Sequence, residues 1–327
     1  MKSFKSFSIK WGFLIVMVIA FIGFGLSNPH FWNAGNQFSI LLGITVYALL
    51  ALGVTFTLTI DGLDLSVGST CAMSVMMASY VMVVLDWGAI PAILVCLTLG
   101  LLIGLINGCL IVYVKIPDLL ATLGMMFLIQ GLQLIPSGGR SIGTGAILPN
   151  GEEAVGVFRE GFLFLGQGSI AKIIPVPVII MLVLAVIVYI ILEHTRWGRI
   201  FYAIGGNAEA TKLVGAPVNR YRIMAYVLSG VTASLGGIVL AARVGRGDVS
   251  SGGTLLLDAV GAALIGYAVL GLKRPNPFGT IIGAIFVGML LNGLTMVGLQ
   301  YYTQDFIKGL VLVAALAFTF GLAKSNS

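Results

Sequence analysis

Long apolar runs, broken by short polar stretches, fill most of this chain. A bilayer core about 30 Å thick takes about 20 apolar residues per helix. That ruler predicts ten spans, at about 11–27, 37–60, 66–86, 89–114, 118–135, 173–192, 222–242, 254–272, 279–298 and 306–323. The first run follows Lys2, Lys5 and Lys10 as a signal peptide would. Because "FGLSNPHFW" offers no small-x-small cleavage site, the run is expected to stay as the first helix. Two polar segments are long enough to carry function. One is the Gly-rich stretch 136–172, with Glu152, Glu153 and Glu160, expected to be non-helical; the other is 193–221.

An even number of spans puts both termini on one face. With a cytoplasmic N-terminus, Lys2, Lys5, Lys10, Lys115, Arg196, Arg199, Lys212, Arg220, Arg222, Lys273, Arg274 and Lys324 fall inside. Arg140, Arg159, Lys172, Arg243, Arg246 and Lys308 fall outside, a bias of about two to one in the direction the positive-inside rule demands. Segment 136–172 is then external and 193–221 cytoplasmic.

The polar breaks contain a repeat. "DLSVGST" at 64–70 returns as "DVSSGGT" at 248–254, and each opens an apolar run. Asn107-Gly108 returns as Asn292-Gly293, and Gly104 as Gly288, in nearly the same register. Five predicted spans separate the copies of D-x-S-x-G-x-T, and an odd number of crossings inverts direction. Segments of about 37–135 and 222–323 therefore read as halves of an inverted-topology repeat, an architecture that builds one pathway with two gates. A chance likeness between Gly- and Ser-rich helix starts is the alternative. Asp64 or Ser66, and Asp248 or Ser250, are expected to cap the helix that follows, while Gly68 and Gly252 admit a neighbouring backbone. Asn107 and Asn292 place amides in apolar helices, where each must bond a neighbour or line a wet cavity. Asp64, Ser66, Asn107, Asp248, Ser250 and Asn292 are the candidate pathway or gate residues.

Composition agrees: 58% of residues are hydrophobic and 9% charged, so the fold class is an all-α polytopic membrane protein. Cys71, Cys96 and Cys109 lie in apolar runs, which argues against a disulfide framework or a metal site. The pI of 9.3 reflects membrane-flanking Lys and Arg rather than a nucleic-acid surface. No phosphate-binding G-x-x-x-x-G-K-[ST] loop occurs, so ATP is not hydrolysed by that means in this chain. His30 and His194 alone are too few for a metal centre or a catalytic triad. Only Asp118 and Asp258 lie near a span, both close to its end, where an ion-coupled transporter would keep ionisable groups at mid-membrane. The energy source is expected outside the chain.

In the cytoplasmic segment, Asn207 to Val214 reads as a short helix capped by Asn207 and stopped by Gly215. It serves either as a handle for a partner domain or as an ordinary interfacial helix. "YAIGGN" followed by Glu209-Ala210-x-Lys212-Leu213-x-Gly215 resembles the coupling loop of permease subunits of ribose-type, simple-sugar ABC importers. "DGLDLSVGS", "LIGLINGCLIVYVKIPDLLATLG" and "LLLDAVGAALIG" are similar to segments of the same family, in order along nearly the whole chain. The resemblance implies a single permease domain over 1–327 in a bacterial inner membrane, without a cofactor of its own. It implies a separate cytoplasmic ATPase that binds ATP, an extracytoplasmic solute-binding protein, a second permease copy (identical or paralogous) and a sugar-like solute. Gly205, Gly206, Asn207, Glu209, Ala210 and Leu213 would engage the ATPase, and the outer loop with Glu152 and Glu153 the binding protein. "LGLKRPNPFGT" departs from the family's Gly- and Ser-rich turn and is read as a topology anchor or an altered ATPase contact. An ion-coupled secondary transporter and a passive channel are the alternative functions.

Overall fold

The computed structural model describes residues 2–147, 151–171, 173–268, 274–300, 302–304, 306–310 and 313. Its helices are α1 (Lys2–Ser27), α2 (Ala34–Leu58), α3 (Val67–Ser79), α4 (Ala89–Val112), α5 (Asp118–Leu132), α6 (Glu160–Gln167), α7 (Val176–Tyr189), α8 (Arg196–Leu213), α9 (Val218–Val244), α10 (Gly253–Ala268) and α11 (Pro277–Met296). One π-helical turn extends α3 through Val84 and another extends α7 through His194. Six of these helices are long and apolar enough to cross a membrane: α2, extended α3, α4, extended α7, α9 and α11. Shorter apolar helices cover Phe13–Ser27, Asp118–Leu132 and Gly253–Tyr267. Every expected span except the last thus coincides with a helix over its described residues, with 269–272 of the span 254–272 lying outside them. Of the last, 306–323, the described residues 306–310 and 313 are helical, and the remainder lies outside the described residues.

Local chemistry sets the helix ends. Asn33 accepts from the Gly35 N–H at 3.0 Å to start α2, and Asn276 accepts from the Gly279 N–H at 2.6 Å to start α11, with Pro277 at its first position. Small residues then bring the helices together. Gly100, Gly104 and Gly108 of α4 lie against Gly230, Tyr226 and Ile223 of α9. On the other half, Gly288 of α11 lies against Ile44 of α2, and the Tyr47 hydroxyl donates to the Ala284 carbonyl at 3.1 Å. Gly104 of α4 and Gly288 of α11 thus let α9 and α2 approach, whereas Gly293 of the second Asn-Gly pair lies against Phe24 of α1. At the centre, Gly53 of α2 meets Ser229 and Thr232 of α9.

The expectation that 136–172 is non-helical is corrected by α6, which lies among its described residues. Strand β1 (Ile142–Gly143) pairs antiparallel with β4 (Arg246–Gly247), β2 (Ser169–Ile170) pairs with β3 (Ile174–Pro175), and α6 packs on α9. Ala154, Gly156 and Phe158 turn inward while their neighbours stay exposed, and the Gly156 N–H donates to Val83 at 3.0 Å. This period of two, with Val155 and Val157 on the exposed side, is short and forms no strand. Glu152, Glu153 and Glu160 are exposed, as expected.

Candidate functional site

The two D-x-S turns have the same internal geometry. Asp64 Oδ1 accepts from the Ser66 N–H at 2.9 Å and the Ser66 hydroxyl at 2.6 Å. Asp248 Oδ1 accepts from the Ser250 N–H at 3.0 Å and hydroxyl at 2.8 Å. Each carboxylate thus closes a turn ahead of its helix. Ser66 stands at the N-cap of α3 without a side-chain cap bond, so the expected helix-capping role of Asp64 and Ser66 is corrected to turn closure. The short Asp side chain reaches the N–H two residues on, and this bond competes with the cap.

Their surroundings differ. Asp64 is 1% exposed, and its Oδ2 accepts from the Ser229 hydroxyl of α9 at 2.8 Å. Asn107 of α4, fully buried, donates to the Ser66 hydroxyl at 2.8 Å. One loop, α4 and α9 therefore meet in a buried polar cluster whose three donors to Asp64 offset the cost of burying its carboxylate. The same loop is tied to α5, since the Leu63 N–H donates to Asp118 Oδ2 at 2.7 Å. Asp248 instead lies at the surface and is paired with Arg246 at 3.1 Å. Bonds from the Ser250 N–H and hydroxyl, with Arg246 beside it, hold the Asp248 carboxyl below the usual carboxylate range.

The copies meet at their glycines. A Cβ on Gly68 would stand 2.8 Å from the Gly252 carbonyl oxygen, and one on Gly252 would meet the Gly68 carbonyl oxygen in turn. This crossing and the Asp64 cluster separate two cavities. One, of about 420 Å³, is lined by Asp61, Gly62, Lys115, Asp118, Arg222 and Tyr226 among others. The other, of about 260 Å³, takes in Gly68, Ser69, Gln130, Gln133, Ser250 and Gly252. Gly62 borders the first and Gly68 the second, so the segment between them, with Asp64 and Ser66, forms the wall. Asn292 is not part of it. Asn292 exchanges amide bonds of 3.1 and 3.0 Å with Asn36, so it packs α11 on the start of α2 rather than matching the bond from Asn107 to Ser66.

Segment 193–221 contains α8, longer than the short helix expected from Asn207 to Val214. At Asn207 the backbone leaves helical geometry (φ −161°, ψ 101°), and its Oδ1 accepts from the Ala210 N–H at 2.9 Å. Asn207 is the expected cap, but of a final turn that follows a preceding helix starting at Arg196. Gly215, with φ +87°, ends it. The inner face of α8 is buried: Phe201 packs on Phe56, and Gly205 sits against the Thr59 carbonyl, five residues before Asp64. Its outer turn projects into solvent, with Glu209 and Ala210 exposed and Leu213 at 87%.

The family of branched-chain amino acid transport system permease components matches this chain over residues 36–316. The chain belongs to that family. Over 314 residues the permease is 32% identical to the ribose import permease protein of Escherichia coli K12, covering 95% of this chain and 94% of the relative. The ribose import permease protein of Bacillus subtilis is 33% identical, covering 93% and 89%. The galactose/methyl galactoside import permease protein of E. coli K12 is 29% identical, covering 97% and 95%. No solved structure matches the chain.

Two clusters in the permease escape sequence reasoning. Asp258 of α10 pairs with Lys308 at 2.7 Å, with only 10% and 18% of the side chains exposed. Two isolated opposite charges at the edges of apolar runs were the available signal. Arg274, in the turn that departs from the family pattern, pairs with Glu193 at 2.8 Å and lies 4.7 Å over the Tyr202 ring. The Tyr202 hydroxyl is bonded to Glu193 at 3.0 Å and Pro275 at 2.9 Å, fastening α8 to the α10–α11 turn. Burial and the Glu193 carboxylate push the Tyr202 hydroxyl well above its usual value, so it remains a donor. Lys273, from the same turn, lies outside the described residues.

Proposed function

We propose that this permease forms the translocation pathway of an ATP-driven importer for a monosaccharide or similar small polar solute, in a bacterial inner membrane with both termini cytoplasmic. ATP is hydrolysed by a separate cytoplasmic subunit that docks on the outer turn of α8. An extracytoplasmic binding protein delivers solute, and a second permease copy completes the assembly. The ribose and galactose import permeases among the relatives support the solute class.

The observation that carries the reading is the two-sidedness of α8. Its exposed turn, Asn207 to Leu213, offers an acid beside an apolar end, a surface suited to a partner. Its buried face touches Thr59, at the base of the loop that holds Asp64. Movement of the outer turn therefore bears on the wall between the cavities. The test is co-expression with the cognate ATPase: a stoichiometric complex that Glu209→Lys weakens, with the permease still folded, is the expected result. Solute uptake by the permease alone, driven by an ion gradient or by diffusion, would replace this reading with the secondary transporter or the channel.

A further inference from the structure

We infer that the 260 Å³ cavity beside Gly68 and Gly252 is a solute-binding site within the permease, built for a neutral polyhydroxylated molecule of monosaccharide size. The inference rests on the importer reading and deepens it by naming the solute's chemistry and where the permease holds it. Four features of the cavity carry it.

The lining is polar without charge. Ser69, Gln130, Gln133, Ser250 and Ser251 supply hydroxyls and amides, and among the described residues lining it none is ionisable. A zwitterion entering such a space would shed water from both charges with no counter-charge to receive them. A polyol needs only neutral donors and acceptors. The larger cavity across the wall differs in this respect, being lined by Asp61, Lys115, Asp118 and Arg222.

Gln133 is the second feature. It is 4% exposed, and its Oε1 is buried with no hydrogen-bond partner in the protein. An acceptor left in that condition costs about 1–3 kcal/mol, which a solute O–H removes once the Gln133 amide turns Oε1 toward the cavity it lines. Size is the third: the volume is many times the ~30 Å³ of one water and just under the 300 Å³ or so at which drug-sized sites begin. Finally, the cavity adjoins the Gly68–Gly252 contact, where any movement of α3 against α10 changes its shape. A solute here is held at the crossing that separates it from the other cavity.

Gly253 provides a way in for the experiment, because it lines the cavity and a Cβ there meets nothing within 4 Å. The complete importer (permease, ATPase and binding protein) is reconstituted in proteoliposomes and assayed for ATP-driven uptake of radiolabelled ribose, allose, galactose and leucine. ATPase co-purifying with each variant reports its assembly. Gln133→Leu is expected to lower sugar uptake about tenfold, the worth of one solute hydrogen bond, while Gln133→Asn retains most of it. Gly253→Phe is expected to lower hexose uptake more than pentose uptake. Sugar uptake unchanged in both Gln133→Leu and Gly253→Phe would overturn the site alone. Equal loss for every sugar in all three variants, with assembly lost, would assign these residues to packing and overturn it too. Wild-type uptake of leucine and of no sugar would overturn the proposed solute class, and the site with it.

Discussion

Gly68 and Gly252, the matching glycines of the two D-x-S-x-G-x-T copies, press against each other's carbonyl oxygens where α3 meets α10. Because the obstacle is backbone on both sides, neither position can relieve a side chain by a rotamer change. Gly68→Val is expected to destabilise the permease by about 1–3 kcal/mol, the usual cost of overpacking. Gly252→Ala adds backbone strain, since Gly252 has φ +102°. Gly253→Ala is the control, its Cβ falling in open space. Thermal unfolding of the purified variants checks the order. Equal melting temperatures for all three would contradict the packing described.

Asp258 and Lys308 predict a different signature. Deleting one member of a largely buried pair strands the other, at about 3–5 kcal/mol. Asp258→Asn and Lys308→Met should each lower the melting temperature sharply, and the double variant less than the sum of the two. Additive losses would mean that the two charges do not depend on each other.

Arg274 is 45% exposed and Glu193 20%, so the solvent-screened ion pair itself is worth about 0–1 kcal/mol. The expected effect is on transmission rather than stability. Arg274→Ala and Tyr202→Phe should leave the fold intact yet raise the ATP hydrolysed per solute imported, because α8 is no longer fastened to the α10–α11 turn. An unchanged ratio in both variants would remove this turn from the coupling route.

The Ser250 bonds to Asp248 make a pH prediction. Its carboxyl titrates below the unfolded value of about 3.9, so the stabilisation is present above that value and is lost as pH falls through the folded pKa. Ser250→Ala should melt below wild type at pH 7, with the gap closing as the pH drops under about 4. A gap constant down to pH 2 would show that the hydroxyl acts through something other than the carboxylate.

The helices were legible because a span is a local property, written as twenty apolar residues in a row. So was the special status of Gly68 and Gly252, through the duplicated motif, and of Asn207 as a cap. What sequence could not give was partner choice across the bundle. Asp64 finds Ser229, and Asn107 finds Ser66, through the crossing of α4 and α9, which no local pattern encodes. Asn292 shares the repeat register of Asn107 but bonds Asn36, because its neighbour at that level is the start of α2 rather than a D-x-S turn. Likewise Arg274 flanks an apolar run, and its pairing with Glu193, 81 residues away, is encoded by no local pattern.

The central claim is that the duplicated motif walls off two cavities on opposite sides of the membrane. Asp61 lines one cavity and Ser250 the other, and both residues are exposed. Each is replaced by cysteine in turn, in a background lacking Cys71, Cys96 and Cys109, and treated with a membrane-impermeant maleimide on intact cells and on inverted vesicles. The account predicts that Asp61→Cys labels only in inverted vesicles and Ser250→Cys only in intact cells. Labelling of both from the same face would contradict the wall, the inverted repeat and the placement of α8 in the cytoplasm together.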